Sequence, residues 1–365
     1  MKNFDWEQYI KNYPDLEQLN TLEKANKHYL RFGIHENRVD YIHFHSIFYK
    51  NGFIYVIQPI YKNVDMYFKL FDTIGYEIKL TDQVIKDQWE PIIISMFKIE
   101  KNAPSIDVIL KFGSTKIKKS LNHKITTKNK FLTLTTLFKD DYEILPLFYN
   151  YYKKQGVEHF YLYYNGKLNE TLKNLCDKPD ITLIEWNVVY LSINAYASPH
   201  IAQTGQIHDA IYNYGKDDCQ YMIFCDFDEY LFCRNVSLKE YILENNGTNS
   251  SISKGTNSSI SKGTDTFAFK QILAQSPLPD DTSFPTTINI SELPFEYLTF
   301  EESKITQPSA KCIHNMDTIK TASIHYSDLL SLPDTSNNFY HFYNWSQPNR
   351  VKDLTFVTRD TQVPS

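Results

Sequence analysis

Residues 221–231 form an apolar run that ends in two aspartates, Tyr-Met-Ile-Phe-Cys-Asp-Phe-Asp-Glu-Tyr-Leu. The first five residues predict a buried strand. Because successive strand residues point to opposite faces, we expect Asp226 and Asp228 on one side, with Phe227 in the core and Glu229 directed away. Two adjacent carboxylates repel each other unless a cation joins them, and oxygen ligands of this kind suit Mg²⁺ or Mn²⁺. The stretch therefore predicts a carboxylate pair that holds a divalent cation.

Two other interpretations use the same residues. A pair of solvated carboxylates that opens a turn needs no metal. Phosphatases with an Asp-x-Asp-x-Thr/Val loop also present two carboxylates, but Tyr230 stands at the Thr/Val position and no matching downstream elements are evident. The location of the pair at the end of an apolar strand favours the cation-binding interpretation.

Upstream of this stretch, strand-like and helix-like segments alternate. The predicted strands are 131–138, 159–164, 181–186 and 221–225, and the predicted helices are 143–155, 169–176 and 201–214. Such alternation predicts an α/β fold built on a mostly parallel sheet with helices on both faces. Ligands of such sheets bind beyond the carboxyl ends of the strands.

The N-terminal third has a different character. Residues 1–40 predict a helical segment with a break at Pro14 and a helix end at Gly33. Over 41–125, β-branched and aromatic runs separated by turn residues predict an antiparallel β-sandwich-like module, and the polar, basic residues 119–129 predict a linker. Such a sandwich either binds sugar or only packs against its neighbour, and the sequence favours packing.

The expected third region, 126–365, contains a tandem octapeptide. Gly-Thr-Asn-Ser-Ser-Ile-Ser-Lys occurs at 247–254 and again at 255–262. A segment of this composition cannot bury apolar surface, so 246–264 predicts a surface insertion. A lid over a ligand site is the alternative.

Composition narrows the function classes. Lys and Arg number 38 against 43 Asp and Glu, giving a net charge of −5, which disfavours a nucleic-acid partner. The five cysteines show no Cys-x-x-Cys spacing, which favours a reducing compartment over a zinc site or a disulfide framework. No apolar N-terminal segment and no run of about 18 apolar residues is present, so we expect a cytoplasmic protein without a membrane span.

Five blocks, in order, resemble glycosyltransferase family 92 and its relatives among the family-2-like transferases. They are Lys139-Asp140-Asp141 with Leu145-Pro146, residues 156–163 with Asn165, Ala202-Gln203 and His208-Asp209 leading into residues 224–231, Ile324-His325-Tyr326, and His341-Phe342 with Ser346. The N-terminal pattern around Asn12-Tyr13-Pro14-Asp15-Leu16 also resembles a helical repeat attached to many microbial and viral glycosyltransferases. The resemblance implies a GT-A fold, which is Rossmann-like, and a nucleotide-sugar substrate.

The resemblance also implies roles for individual residues. Asp226 and Asp228 would hold the metal, completed by His325 or His341. The implied contacts to the nucleotide sugar are Lys139, Asp140, Asp141, Asn165, Gln203, Asp209 and Asp226. Since Gln203 and Asp209 lie six residues apart on one predicted helix, at most one of them should face the site. Candidates for the catalytic base are Glu296, Glu301 and Glu302.

The implied function is metal-dependent transfer of a hexose, galactose first, from a UDP-sugar to a glycan or glycoprotein acceptor with inversion, using Mn²⁺ or Mg²⁺. The absence of an anchor suggests work on cytosolic glycans in a microbe, or in a virus within its host's cytoplasm. Four positions depart from the family pattern: Leu147, Phe148, Tyr152 and Tyr164. These departures leave open an inactive GT-A-like protein that serves as a glycan-binding module.

Overall fold

The computed structural model describes residues 4–36, 38–62, 64–86, 90–100, 103–139, 142–192, 200–233, 236–245, 266–275, 299–300, 310–323, 338–342 and 358–359. The chain divides into two compact units. The first comprises Met1–Thr127, Asn165–Lys167 and Glu185–Asp218, and the second comprises Lys128–Tyr164, Leu168–Ile184 and Cys219–Ser365. The predicted insertion at 246–264 lies outside the described residues.

The chain begins with short helices, as predicted. They are α1 (Trp6–Asn12), a 3₁₀ turn (Pro14–Leu16), α2 (Leu22–His28) and a π-helical turn (Tyr29–Gly33). The Asp5 and Thr21 side chains cap the two helices by accepting hydrogen bonds from backbone N–H groups. Tyr9 is fully buried, and a Cβ at Gly33 would collide with its hydroxyl group. Gly33 is therefore needed for close packing in this small helical core.

Eight strands follow and form one sheet in the first unit. They are β1 (Ser46–Lys50), β2 (Phe53–Pro59), β3 (Lys69–Asp72), β4 (Glu77–Ile78), β5 (Asp82–Lys86), β6 (Ile92–Lys98), β7 (Ser105–Phe112) and β8 (Thr115–Lys124). Their order is β4-β3-β7-β8-β1-β2-β6-β5, and only the β1–β8 pair is parallel. A cluster of buried aliphatic and aromatic side chains, including Tyr49, Val56 and Leu110, forms the core.

The prediction of a linker over 119–129 is wrong for residues 119–124, because β8 extends to Lys124. The hairpin with β7 turns at Gly113, whose φ of 56° lies in the left-handed region that favours glycine. Leu121 is the one buried residue of β8. A strand with so few buried apolar positions lacks the alternation that reveals strands in a sequence.

The second unit opens with the predicted alternation of strands and helices. Its elements are β9 (Lys130–Phe138), a 3₁₀ turn (Tyr142–Ile144), α3 (Leu145–Lys154), β10 (His159–Tyr164), α4 (Glu170–Leu175) and β11 (Ile181–Glu185). The predicted helix over 143–155 is confirmed, and its apolar side chains Ile144, Leu145, Phe148 and Tyr152 are buried. Gly156 follows α3 with φ 90°, as expected of a residue that ends a helix.

The chain then contributes α5 (Ile201–Asp209), a π-helical segment (Ala210–Gly215) and α6 (Lys216–Asp218) to the first unit. The second unit resumes with further strands and one helix. These are β12 (Cys219–Phe224), β13 (Glu229–Phe232), α7 (Leu238–Asn245), β14 (Thr266–Gln275), β15 (Thr299–Phe300), β16 (Ala310–Asn315), β17 (Asn338–Phe342) and β18 (Thr358–Arg359).

The sheet of the second unit is mixed. Its order is β11-β10-β9-β12-β16-β14-β15-β18, with β17 joining β13 to β14. Strands β10, β9 and β12 are parallel, but β16 runs antiparallel to both β12 and β14. The predicted α/β class is confirmed. The predicted mostly parallel sheet holds for these first strands and for the β14–β17 pair, but not for the antiparallel strands between and beyond them. Among the helices that the structure describes, none is both long and apolar enough to cross a bilayer.

Candidate functional site

Asp226 and Asp228 lie in a tight turn between β12 and β13. The Glu229 N–H donates to the Asp226 carbonyl oxygen at 3.1 Å, and the Asp226 N–H donates to Glu229 Oε2 at 2.9 Å. Phe227 is buried against Phe138 and Phe148, as predicted. Because the strand ends at Phe224, the predicted alternation does not apply here. Glu229 folds back toward the aspartates, contrary to the expectation that it points away.

Lys311 lies between two of these carboxylates. Its Nζ is 3.1 Å from Asp226 Oδ2 and 3.0 Å from Glu229 Oε2. Only 2% of the Lys311 side chain and 1% of the Glu229 side chain is exposed. Strand β16 makes this possible, since Cys312 pairs with Phe224 and Lys311 is thus placed one residue beyond the end of β12. Buried charges of this kind require partners of opposite charge, and the Lys311 ammonium group and the Glu229 carboxylate are such partners for each other.

His341 reaches the same carboxylates from β17. In the β13–β17 ladder it stands opposite Glu229. Its Nε2 is 3.4 Å from Asp228 Oδ2, and its Nδ1 is 3.6 Å from Glu229 Oε1. We call Asp226, Asp228, Glu229, Lys311 and His341 the carboxylate cluster.

Burial and charge act against each other on the pKa values of this cluster. Burial lowers the pKa of Lys311, but the Asp226 and Glu229 carboxylates raise it above its ordinary value. Burial likewise lowers the pKa of His341, but the Asp228 and Glu229 carboxylates raise it by more, so this pKa lies above its ordinary value. The pKa of Glu229 is raised, chiefly because burial disfavours its charged form. The two cationic side chains therefore keep their protons more readily than usual.

Tyr152 fixes the backbone at the start of β13. Its hydroxyl donates to the Glu229 carbonyl oxygen at 2.8 Å and accepts from the Leu231 N–H at 3.1 Å. The side chain is fully buried on α3. This residue departs from the family pattern, and in this chain its hydroxyl connects α3 to the strand that carries Glu229.

The other predicted site residues are placed as follows. Lys139 follows β9 and is exposed. In the first unit, Asn165 Nδ2 donates to the carbonyl oxygens of Trp186 and Val188 at 2.9 and 2.7 Å. Gln203 Oε1 accepts from the Tyr190 hydroxyl at 3.1 Å, and Asp209 Oδ1 accepts from Asn213 Nδ2 at 3.2 Å. Each of these three buried side chains thus has a protein partner within its own unit.

Six predicted site residues lie outside the described residues: Asp140, Asp141, Glu296, Glu301, Glu302 and His325. Within the described ranges, no group of three or more His, Cys, Asp or Glu side chains is arranged to hold a metal ion. The donor types nevertheless fit Mn²⁺ or Mg²⁺, since Asp226 and Asp228 offer carboxylate oxygens and His341 an imidazole nitrogen. The two aspartates and His341 therefore provide donor atoms of the kinds that Mn²⁺ or Mg²⁺ binds.

The sequence did not reveal Lys311, and it predicted for Glu229 a supporting or packing role beside the aspartates, with the side chain directed away from them. The missed signal for Lys311 was its position in an otherwise apolar stretch, Ala310-Lys311-Cys312-Ile313. A lysine in a buried strand needs an anionic partner, and the aspartate pair supplies it. The direction of Glu229 was misjudged because the strand was expected to continue through Asp228, whereas it ends at Phe224 and a turn follows.

Comparison with known proteins identifies the class. The model of glycosyltransferase family 92 matches residues 133–362, more than half of the chain and the whole of the carboxylate cluster. The chain belongs to this family, as the sequence blocks predicted, and it is a glycosyltransferase. No curated protein matches it.

Two solved structures show only remote similarity. Amylomaltase from Corynebacterium glutamicum is 11% identical with a TM-score of 0.16, over 39% of this chain and 23% of that one. The iron-containing dodecameric glycosyltransferase TibC from enterotoxigenic E. coli H10407 is 11% identical with a TM-score of 0.13, over 41% of this chain and 36% of that one. The chain thus spans well under half of either protein.

Proposed function

We propose that this glycosyltransferase transfers a hexose, with galactose as the first candidate, from a UDP-sugar to a glycan or glycoprotein acceptor with inversion at the anomeric carbon. The observation that carries the proposal is the carboxylate cluster within the region matched to family 92. The proposed catalytic region is 126–365, and the proposed location is the cytoplasm. Five buried cysteines without disulfide bonds are compatible with a reducing compartment.

Asp226 and Asp228 are the proposed ligands of Mn²⁺ or Mg²⁺, with His341 or His325 as a third. When bound, such an ion supplies positive charge that stabilises a diphosphate leaving group. Lys311 and the Asp226 N–H both bond to Glu229, so Glu229 holds the turn that presents the two aspartates. The proposed contacts to the nucleotide sugar remain the seven residues named from the sequence: Lys139, Asp140, Asp141, Asn165, Gln203, Asp209 and Asp226. The proposed base that accepts the acceptor's hydroxyl proton is Glu296, Glu301 or Glu302.

The test is calorimetric titration of UDP and Mn²⁺, separately and together, into wild type and Asp228→Asn. We expect UDP to bind wild type when Mn²⁺ is present and to bind about tenfold or more weakly to the variant, because a lost metal ligand removes charge from the diphosphate site. Asp317→Asn is the matched control, since this exposed aspartate pairs with Lys128 in the same unit. Equal UDP affinity with and without Mn²⁺, or an unchanged Asp228→Asn, would contradict the proposed metal dependence.

The sugar and the stereochemistry need a second readout from the same samples. UDP-galactose, UDP-glucose and UDP-N-acetylglucosamine are supplied in turn, and the released or transferred sugar is followed by NMR. We expect turnover of UDP-galactose with a β-configured product from the α-linked donor. An α-configured product would refute inversion, and exclusive turnover of another donor would refute galactose.

A further inference from the structure

The first unit contains a cavity of about 370 Å³ that the catalytic proposal does not use. Both ends of the eight-stranded sheet line it, β2, β5 and β6 from one end and β3 and β4 from the other. Phe68 packs inside this curled sheet, its ring 5.6 Å from Phe97 and 5.3 Å from Phe112. Ligand pockets commonly measure about 300–1,000 Å³, so this one suits a ligand of the size of a mono- or disaccharide.

The inner wall of the cavity carries polar groups in a fixed arrangement. Gln58 and Ser95 are each only 1% exposed. Gln58 Nε2 donates to the Met66 carbonyl oxygen at 3.0 Å and to the His43 carbonyl oxygen at 3.2 Å, which sets the orientation of the amide. Gln83 Nε2 donates to Ser95 Oγ at 2.9 Å. A wall that combines amides and a hydroxyl favours a hydroxyl-rich ligand, because an apolar ligand would strip these groups of water without replacing its hydrogen bonds.

The mouth of the cavity carries an exposed aromatic ring. Tyr67 lines the cavity and is 69% exposed. Asp65 Oδ1 accepts from the Tyr67 N–H at 2.8 Å and so fixes the backbone that presents this ring. Leu80 also lines the cavity and is exposed, and exposed large apolar side chains beside a cavity often mark a ligand contact.

The charges of the wall limit the class of ligand. The charged residues that line the cavity are Asp65, Glu77 and Lys69, and Glu77 pairs both with Lys69 at 3.6 Å and with Lys79 at 3.3 Å. Because the two carboxylates match the two lysines near the wall, the cavity offers no surplus of positive charge to bind a nucleotide or another polyanion. Planar carboxylates and amides beside an aromatic ring are suited to a pyranose, which has hydroxyls at its edge and C–H groups on its face.

We propose that this cavity is a glycan-binding site that holds a neutral pyranose with one face against Tyr67. The hydroxyls of the sugar face the polar wall formed by Gln58, Gln83 and Glu77. The β-module is then a binding module within a glycosyltransferase, with a ligand of its own. This inference does not rest on the proposed metal or donor, because all of its residues lie in the first unit.

The experiment is saturation-transfer-difference NMR on the full chain, with EDTA present and no nucleotide added. The probes are methyl β-D-galactopyranoside, methyl β-D-glucopyranoside, N-acetylglucosamine and cellobiose. We expect a saturable signal from at least one probe and about tenfold weaker binding to Tyr67→Ala, as loss of a stacking ring predicts. Failure of the metal or donor proposal would leave these signals unchanged.

Tyr76→Ala is the matched control. Tyr76 is 72% exposed and lies in the same β3–β4 region, but it does not line the cavity. It should bind the probe like wild type, while Gln83→Ala should weaken binding. If no probe binds wild type, or if Tyr67→Ala and Tyr76→Ala behave alike, the proposal is overturned. It is also overturned if Tyr67→Ala changes only the oligomeric state in sedimentation, since that result would assign this face to a protein contact.

Discussion

At the scale of the residue, Lys311 determines whether the carboxylate cluster is stable. Its ammonium group contacts Asp226 and Glu229 at 3.1 and 3.0 Å, and neither Lys311 nor Glu229 is open to water. We expect Lys311→Met to lower the free energy of unfolding by about 3–5 kcal/mol, because it leaves a buried carboxylate without its cation. Urea denaturation followed by circular dichroism measures this loss.

The double variant Lys311→Met/Glu229→Gln separates charge from packing. Removing both charges should restore part of the stability, since a neutral amide costs less to bury than an unpaired carboxylate. Lys128→Met is the control, because its partner Asp317 is largely exposed and such pairs contribute about 0–1 kcal/mol. If Lys311→Met cost no more than Lys128→Met, the cluster would not depend on this lysine.

The same residues show what a sequence can and cannot predict about a site. Asp226 and Asp228 were found because their neighbours in the chain reveal a strand end. Lys311 reaches the turn only through the pairing of β16 with β12, more than eighty residues away, and no local pattern encodes that pairing. Glu229 was misjudged because the strand stops at Phe224, which removes the alternation on which its direction depended.

At the scale of the element, Lys50 of β1 stabilises the helical segment that ends at Asp218. Its fully buried ammonium donates to the carbonyl oxygens of Tyr212 and Asn213 at 3.3 and 3.0 Å and pairs with Asp217 at 3.0 Å. The sequence predicted one helix over 201–214, whereas the structure changes from α-helix to π-helix at Ala210. The apolar pattern predicts the helix, but it does not show that a lysine from a distant strand bonds to carbonyl oxygens of the π-helical segment.

We expect Lys50→Met to lower the free energy of unfolding by about 2–4 kcal/mol, because it leaves buried carbonyl oxygens without donors. Hydrogen exchange of the amides in 210–218 should also become faster, and mass spectrometry measures that locally. Asp217→Asn is the control, because its half-exposed carboxylate should contribute about 1 kcal/mol or less. If Asp217→Asn cost as much as Lys50→Met, the ion pair and not the carbonyl contacts would hold the segment.

At the scale of the whole molecule, the sequence predicted the strands better than their arrangement. The β-branched and aromatic runs at 53–57, 92–97, 106–112, 131–138 and 159–164 are strands, whereas the run at 76–80 forms a strand only at Glu77–Ile78. The antiparallel β16 could not be predicted from the alternation of strands and helices, because it follows a long stretch without periodic signal and pairs with β12 by a distant return of the chain. Local burial patterns therefore predict which segments are strands, whereas the order of a sheet depends on contacts that the pattern does not contain.

Both units contain buried histidine side chains, and this makes the molecule as a whole sensitive to acid. In the first unit, burial lowers the pKa of His208 to about 3, and burial together with the neighbouring His208 lowers the pKa of His45 to about 3. In the second unit, burial lowers the pKa of His314 to about 3. Unfolded histidine titrates near 6.5, so between about pH 6.5 and pH 3 the unfolded chain binds more protons than the folded chain. Stability should therefore fall as the pH drops below about 6.5, by up to about 1.4 kcal/mol per pH unit for each histidine.

Urea midpoints measured at pH 7.5, 6.5, 5.5 and 5.0 test this expectation, with each transition followed separately because two units need not unfold together. His208→Asn should reduce the pH dependence of the first unit, where His45 continues to contribute, and His314→Asn should flatten that of the second. Both variants should be less stable than wild type at pH 7.5, so the slope against pH is the decisive quantity. His35→Asn, which alters an exposed histidine, should retain the slope of wild type. A wild-type midpoint that stays constant from pH 6.5 to 5.0 would show that the folded chain accommodates charged histidines at these positions.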